Sequence, residues 1–466
     1  MPEQKPIIVW FRGDLRIHDH PALAAAVETG RPIIPLFIFD DQLLTGDAAS
    51  ANRNRFLIEC LEDLKASLKK IDGDLVVRNG EASKVLVDVV KESEATAVYY
   101  VADYTPYSTR RDKAVEDTLK KQDVECLSYG GKLAVSASLK LQTGSKSTYK
   151  VFTPFWKAWT GIKRASIAKL PNHILMANIT VGTLPSISSV GNTKYLSDDV
   201  VRGGETEARK RLRRFLDGPI NSYHTGNNNM ADDSTSRLSP YLHFGCLSPR
   251  EVETMLPDTD GARSWHRQLA WREFYYYVLF HYPHPEREFQ ERYRGMSWIT
   301  SPKLLDAWKD GRTGYPIIDA AMRQLKAEGW MHNRARLIVG SFLTKDLNID
   351  WREGEKHFMQ WLLDGDMANN NGNWQWIASV GVDPAPFFRR LYNPMTQQER
   401  YDPDGEYVRR YVPELKKVPA KYISEPWKMP DDIQQASGCV IGKDYPKPVV
   451  DHKEARQLAM ERYKSI

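Results

Sequence analysis

The sequence predicts an α/β N-terminal domain on a parallel Rossmann-like sheet, a long connector, and an all-α C-terminal half. Three observations lead there. Short β-rich runs alternate with amphipathic segments over residues 1–135, periodicity fades over 136–204, and helix formers dominate over 205–466. At 466 residues and 53.4 kDa the chain is too long for one ordinary core, so several domains are expected.

The strand-like runs are Ile7 to Phe11, Ile33 to Phe39, Leu75 to Arg78, Ala97 to Val101 and Val124 to Leu127. Between them, Pro21 to Glu28, Asn54 to Lys70, Ala82 to Glu92 and Thr109 to Gln122 carry apolar residues at helical spacing, which predicts a parallel sheet covered on both faces. Ligands of such sheets lie beyond the carboxyl ends of the strands, so Asp40, Asp41 and Asp103-Tyr-Thr-Pro-Tyr107 mark a place for a small molecule. Phe11-Arg-Gly-Asp-Leu-Arg16 stands where a dinucleotide fold has G-x-G-x-x-G, and a nicotinamide reading loses its main support.

The connector is rich in Ser, Thr, Gly, Pro and Asn, yet Phe152-Thr-Pro-Phe-Trp156 and Ile162 are apolar, so it should pack along both domains. Beyond it, helices are expected over Glu205 to Leu216, Ala262 to Phe280, Tyr315 to Glu328, Arg334 to Leu343 and Lys453 to Tyr463. No apolar run reaches the ~20 residues of a membrane span. The start, Met1-Pro-Glu-Gln-Lys5, has no apolar signal segment. Cys60, Cys126, Cys246 and Cys439 lie far apart without C-x-x-C, which argues against zinc and a disulfide scaffold and for reduced thiols in the cytoplasm. A net charge of +5 permits nucleic-acid binding without demonstrating it. Ten of the 13 tryptophans fall after residue 264, which directs attention to the helical half.

Four segments there carry chemistry. Thr235-Ser236-Arg237-Leu238-Ser239-Pro240 sets three hydroxyls and a guanidinium at a helix start; it reads as a plain N-cap or as a phosphate cradle. Trp265-x-x-Gln268-x-x-Trp271-Arg272 spaces two indoles around an amide, a stripe that is either core or, because a buried amide needs a partner, a site. Trp330-Met-His332-Asn333-Arg334-Ala-Arg336-Leu337 mixes polar groups along a helix, with His332 more often a structural histidine than a catalyst. Asp364-Gly-Asp366-Met-Ala-Asn-Asn370-Asn-Gly-Asn-Trp374-Gln-Trp376 is too polar for core and too aromatic for a linker. Its two acids could cap a helix or accept from a ribose and an arginine, while no cluster completes a metal site.

Together these segments resemble the FAD-binding catalytic domain of the DNA photolyase and cryptochrome family, most like class I cyclobutane pyrimidine dimer photolyases. The likeness runs from Val9-Trp-Phe-Arg-Gly-Asp-Leu-Arg16 through Asp346-Leu-Asn-Ile-Asp-Trp351 to Glu406-Tyr-Val-Arg-Arg-Tyr-Val-Pro-Glu-Leu415. It implies an N-terminal antenna domain, an all-α FAD domain, and a monomer that acts on DNA containing cyclobutane dimers. The cofactor shell it implies is Tyr223, Thr235, Ser236, Arg237, Leu238, Ser239, Trp265, Arg272, an Arg336 to Asp364 pair, Asp366, and Asn370 facing flavin N5. Trp374, Trp351 and Trp298 match the electron relay from the surface. Gln268, Trp271, Asn333, Arg334, Trp376 and Gln397 match lesion or DNA contacts, with Asn227 at a phosphate-arginine position, and Arg272, Arg389, Arg390 and Lys345 are expected around the mouth.

By that likeness, excited reduced FAD gives one electron to the flipped dimer, the ring opens, and the electron returns. A second antenna chromophore is implied, a folate, a deazaflavin or FMN. Three positions depart from the dimer-repair pattern: Gln268 stands for a glutamate, Asn227 for an arginine and Leu337 for a methionine. They keep a cryptochrome, which senses blue light with the same flavin, as the alternative.

Overall fold

In the computed structural model, which describes residues 4–46, 49–189 and 195–466, the five runs form one parallel sheet of order β3-β2-β1-β4-β5. The strands are β1 (Ile7–Phe11), β2 (Ile33–Phe39), β3 (Val76–Asn79), β4 (Ala97–Val101) and β5 (Glu125–Tyr129). Ile7 of β1 aligns with Ile33 on one side and Ala97 on the other, so the most apolar strand is central. Strands β3 and β5 start one residue later than their apolar patterns suggest. The Val124 amide is spent on Leu119 O, closing the turn that precedes β5.

Helices Pro21–Glu28, Ala51–Lys69, Ala82–Ser93 and Pro106–Lys120 supply the crossovers. One sheet face packs Ile8, Trp10, Ile34 and Leu36 against Leu86, Val89, Val115 and Leu119. On the other face the core does not stop at the domain edge. Val9, Phe11 and Leu61 belong to one buried cluster with Phe155 and Trp159 of the connector helix Phe152–Thr160 and with Tyr241, Trp265 and Phe274 of the helical half. The connector thus fills the seam with its aromatic residues; its residues 190–194 lie outside the described ones.

Polar bonds fix the same seam. Asp19 is ion-paired to Arg250 at 2.5 Å, Glu205 accepts from the Ile17 amide at 2.8 Å, and Arg16 donates to Gly245 O at 2.9 Å. Cys60 and Cys246, 186 positions apart in sequence, stand side by side as buried thiols with sulfurs 3.3 Å apart. Farther along, Asn52 donates to Trp361 O at 2.7 Å and Arg53 to Met359 O at 2.6 Å, so the first domain grips the chain just before Asp364.

The helical half has its own core around Trp308, Trp351, Phe358 and Trp374. Its long helix Asp260–His281 packs on helix Met367–Ile377, and the two stand close because Gly372 carries no side chain: a Cβ there would come within 2.1 Å of the Tyr275 ring. Helix Asn333–Ser341 runs on into a π-helical turn, Phe342–Asp346, where the sequence suggests plain helix to Leu343. No helix among the described residues is long and apolar enough to cross a membrane.

Candidate functional site

Asp364 and Asp366 do different work. Asp366 caps helix Met367–Ile377, accepting from the Asn369 amide at 2.8 Å, while its other oxygen accepts from Tyr276 and faces His243 Nδ1 at 3.7 Å. Burial alone would raise its pKa, but His243, Lys132 and Tyr276 outweigh it and hold the group well below the carboxylate range. Asp366 is thus a helix cap as well as an expected cofactor residue. Asp364 takes Arg336 Nη2 at 2.8 Å with one oxygen; the other is buried with no partner among the described residues. Arg336 is oriented by a second bond, Nε to Met331 O at 2.9 Å.

Asn370 is buried and its amide nitrogen donates to Glu355 O at 3.0 Å, which fixes the side chain at the start of its helix. The neighbouring Glu355 carboxyl, held by Asn371, is pushed up to about 7 by burial. Neither Glu355 nor the Arg53 brace stands out in the sequence, because each is an ordinary charged residue on an amphipathic helix.

His332 is a structural group. Its Nδ1 accepts from the Arg334 amide at 3.1 Å and so caps helix Asn333–Ser341, and burial with three nearby arginines lowers its pKa to about 4. Asn333 is exposed in the first turn, Leu337 is half-buried, and Arg334 is half-buried, bonded to Asn228 Oδ1 at 2.8 Å over the Tyr401 ring.

The hydroxyl segment leads into the short helix Ser239–His243. Thr235 and Ser236 are half-buried, Ser239 exposed, and Leu238 core. Ser236 Oγ takes the indole N–H of buried Trp265 at 3.1 Å. The Arg237 guanidinium is held over Trp330 by Asp233 at 2.8 Å and Glu328 at 2.9 Å. Half-buried Tyr223 meets Phe215 edge-on, and burial pushes its hydroxyl up to about 12. Asn227 folds back onto Tyr223 O as the end cap of its own helix.

Trp265, Gln268 and Trp271 do not share one helical face, because six residues turn a helix by about 600°. Trp265 is buried toward Phe215, whereas Trp271 is half-buried and lies on Phe152. Gln268 between them is exposed, contrary to the buried amide that the stripe suggests. Arg272 donates to Lys132 O at 3.1 Å and Leu242 O at 3.3 Å, tying the first domain to the second.

Among the relay candidates, Trp374 and Trp351 are buried and Trp298 is half-exposed beneath the Arg462 guanidinium, 4.5 Å from its ring centre. The ring contacts of Trp374 are Phe358 at 5.0 Å and Trp308 at 6.2 Å. Of the basic residues expected at a mouth, Arg389 is exposed, but Lys345 and Arg390 are almost wholly buried. Lys345 donates to Ile377 O and Arg390 to Asp383, so neither stands ready for a phosphate. Trp376 is half-buried against Arg390, and Gln397 is half-buried on helix Pro394–Tyr401.

In the first domain, side chains beyond the carboxyl ends of the strands contact one another. Arg12 and Arg111 lie over Trp10 at 4.6 and 4.9 Å, and Tyr107 donates to Asp40.

The helical half leaves buried polar atoms unpartnered on the segments that carry the family likeness: Asp364 Oδ1, Trp374 Nε1 and His332 Nε2. A protein interior rarely leaves such groups unsatisfied, so this donor and acceptor set fits a polar, aromatic cofactor such as FAD. Residues 265–465 match the family described as the FAD binding domain of DNA photolyase, and residues 7–173 match DNA photolyase. The chain belongs to the DNA photolyase family. It is 40% identical to the deoxyribodipyrimidine photo-lyase of Agrobacterium fabrum, over 99% of this chain and 98% of the relative. A bacterial class III photolyase structure from Agrobacterium tumefaciens aligns at 38% identity and a TM-score of 0.93, covering 100% of this chain and 98% of that one. A Synechocystis cryptochrome structure aligns at 30% identity and a TM-score of 0.90, covering 99% and 100%. Both arms of the photolyase and cryptochrome family therefore share this fold.

Proposed function

We propose that this photolyase-family chain is a light-driven deoxyribodipyrimidine photolyase that reverses cyclobutane pyrimidine dimers in DNA. One contrast carries the reading. At the positions assigned to the lesion, Gln268 and Asn333 are exposed and Trp271 and Trp376 half-exposed. At the cofactor position Asp364, by contrast, one carboxylate oxygen is buried without a partner among the described residues, as are Trp374 Nε1 and His332 Nε2, near in sequence to the expected cofactor shell. Groups left to solvent can meet DNA; groups buried and unpaired call for a resident ligand.

Bound reduced FAD supplies the light-driven electron that opens the dimer and is then returned. The chain supplies the rest. Arg336, Asp364 and Asn370 would hold the flavin ring, Trp265, Ser236 and Thr235 the diphosphate side, and Trp374, Trp351 and Trp298 the electron path that restores the reduced state. Gln268 and Asn333 would hydrogen-bond the base edges, and the indoles would stack on bases at about 1–3 kcal/mol each. Gln268 can donate and accept but cannot deliver a proton, so any protonation of the opening ring falls to another group. Exposed Arg389 and half-buried Arg334 would meet phosphate.

The motifs resemble class I members, and the fold aligns with a class III structure. A cryptochrome reading is favoured by Gln268 and by the Synechocystis alignment. The flavin-loaded protein, mixed with a dimer-containing oligonucleotide and split between blue light and darkness, decides between them. Loss of dimers only in the lit sample supports repair; flavin photoreduction with dimers intact supports the photoreceptor. The proposal further takes the protein as a cytoplasmic monomer carrying a second, light-harvesting chromophore of the folate, deazaflavin or flavin kind.

A further inference from the structure

Each of the two indoles assigned to the lesion has a group laid against it from within the protein. Phe152, on the connector helix, lies flat on Trp271, with ring centroids 3.7 Å apart and planes 8° from parallel. Phe152 is 3% exposed and carries the Arg267 guanidinium 5.4 Å from its ring centre. Against Trp376 lies Arg390, its guanidinium carbon 4.1 Å from the ring centre. Asp383 ties that pair together: one oxygen, Oδ2, accepts from Trp376 Nε1 at 3.2 Å and from Arg390 Nη2 at 2.7 Å. Arg390 is 2% exposed, and its carbonyl is fixed by Ser341 Oγ at 3.0 Å.

The two arrangements share a consequence although their chemistry differs. An unsupported indole on a surface samples several rotamers, and a ligand that stacks on it must bear the cost of ordering it. A parallel ring or a planar guanidinium covers one face and directs stacking to the other, and at Trp271 the Phe274 and Tyr275 rings, 5.7 and 5.8 Å away, brace the indole further. The Trp376 indole N–H is also engaged by Asp383, so its plane is set by an edge contact and a face contact together. Arg390 and Asp383 neutralise one another, which lets a buried cation stand there without an unpaired charge.

We propose that Phe152 and the Asp383 to Arg390 pair are positioning residues for substrate, holding Trp271 and Trp376 as preset, single-faced plates for the bases of the lesion. This rests on the repair reading given above and adds residues it does not use. They act through the two tryptophans, so their removal should weaken capture of the dimer and leave the chemistry on captured dimer alone.

The test uses the flavin-loaded full chain in the dark, titrated with an oligonucleotide bearing one cyclobutane thymine dimer and with its undamaged twin. Variants are Asp383→Asn, Arg390→Met, Phe152→Leu, Trp376→Ala, Trp271→Ala, and the doubles Asp383→Asn/Trp376→Ala and Phe152→Leu/Trp271→Ala. The expected result is about a 3- to 10-fold weaker Kd for the dimer in each single backing variant, the size of losing one preset side chain. Binding of the undamaged twin stays within about twofold, and under light KM rises while kcat at saturating dimer holds. In each double the backing change adds nothing to the Trp→Ala loss. Equal weakening on both oligonucleotides, full additivity in the doubles, or a fall in kcat alone overturns the proposal. If Trp271→Ala and Trp376→Ala leave dimer affinity unchanged, the repair reading itself falls and takes this inference with it. Should Asp383→Asn fail to fold, Arg390→Met, which leaves Asp383 bonded to the Trp376 indole, reads the same coupling, alone and combined with Trp376→Ala.

Discussion

Arg336 donates to Asp364 across 2.8 Å, while the second oxygen of Asp364 is buried and unpartnered among the described residues. A carboxylate half-used by an arginine and half-orphaned is an arrangement that a ligand completes.

The first expectation follows from that pair. Asp364→Ala leaves Arg336 without its partner and removes the orphan acceptor, costing about 2 kcal/mol of stability through a lost charged hydrogen bond. Flavin retention should fall further than stability does. The ratio of flavin to protein absorbance after gel filtration reads retention, and urea unfolding reads stability; a variant that keeps its flavin in full would contradict the assignment.

His332 gives a pH dependence. Its pKa is lowered by burial first and by Arg334, Arg237 and Arg336 next, from 6.5 to about 4. Because the folded value lies below the unfolded one, its contribution is complete above about pH 6.5 and declines as pH falls toward 4. Summed over that window the loss is about 3 kcal/mol, since each pH unit costs at most about 1.4 kcal/mol per group. Protonation also takes away the lone pair that caps helix Asn333–Ser341. His332→Asn, which can still cap, should flatten this part of the stability profile between pH 7 and pH 5. Thermal unfolding across that range measures it, and an unchanged slope would count against the assignment.

Much of the fold was legible because its signals are local. Strands β1, β2 and β4 and helices Pro21–Glu28 and Glu205–Leu216 begin and end where apolar periodicity does. In the helical half, Arg336 and Asp364 lie 28 positions apart and their meeting came from the family likeness, not from spacing. Burial of Lys345 and Arg390 was not legible, since a cation buried by a carbonyl or a distant aspartate has the same letter as one in solvent. For Gln268 the stripe leaves core and site both open, and the structure shows the amide exposed on the helix surface. Asp383 and Glu355 carry no signal in the sequence because their importance lies in partners that only the fold brings near, whereas the apolar run that begins at Phe152 does point to packing along both domains.

Gly354 tests the packing of Trp374. An added Cβ would come within 2.1 Å of the indole, a rigid neighbour that cannot bend away. Gly354→Ala should cost about 1–3 kcal/mol by overpacking. It should also slow flavin photoreduction by displacing the innermost relay candidate. Normal photoreduction in a destabilised Gly354→Ala would separate Trp374 from the electron path.

Asp19 tests the seam. It is paired to Arg250 at 2.5 Å and bonded to Ser248, all buried. Asp19→Ala strands the Arg250 charge and should cost about 3–5 kcal/mol. Because one core spans the domains, unfolding should remain a single transition at a lower midpoint. Two separated transitions, seen by calorimetry, would show that the domains are held less tightly than their contacts imply.

The central claim is that the helical half holds a flavin where its light-driven electron reaches a dimer gripped by Trp271 and Trp376. The most direct measurement is dimer loss per absorbed blue photon, with the flavin spectrum followed in the same cuvette. The account expects dimers to disappear in step with photons, the flavin to end as reduced as it began, and the dark sample to stay unchanged. Dimers that survive illumination of a fully reduced, flavin-loaded sample would contradict it.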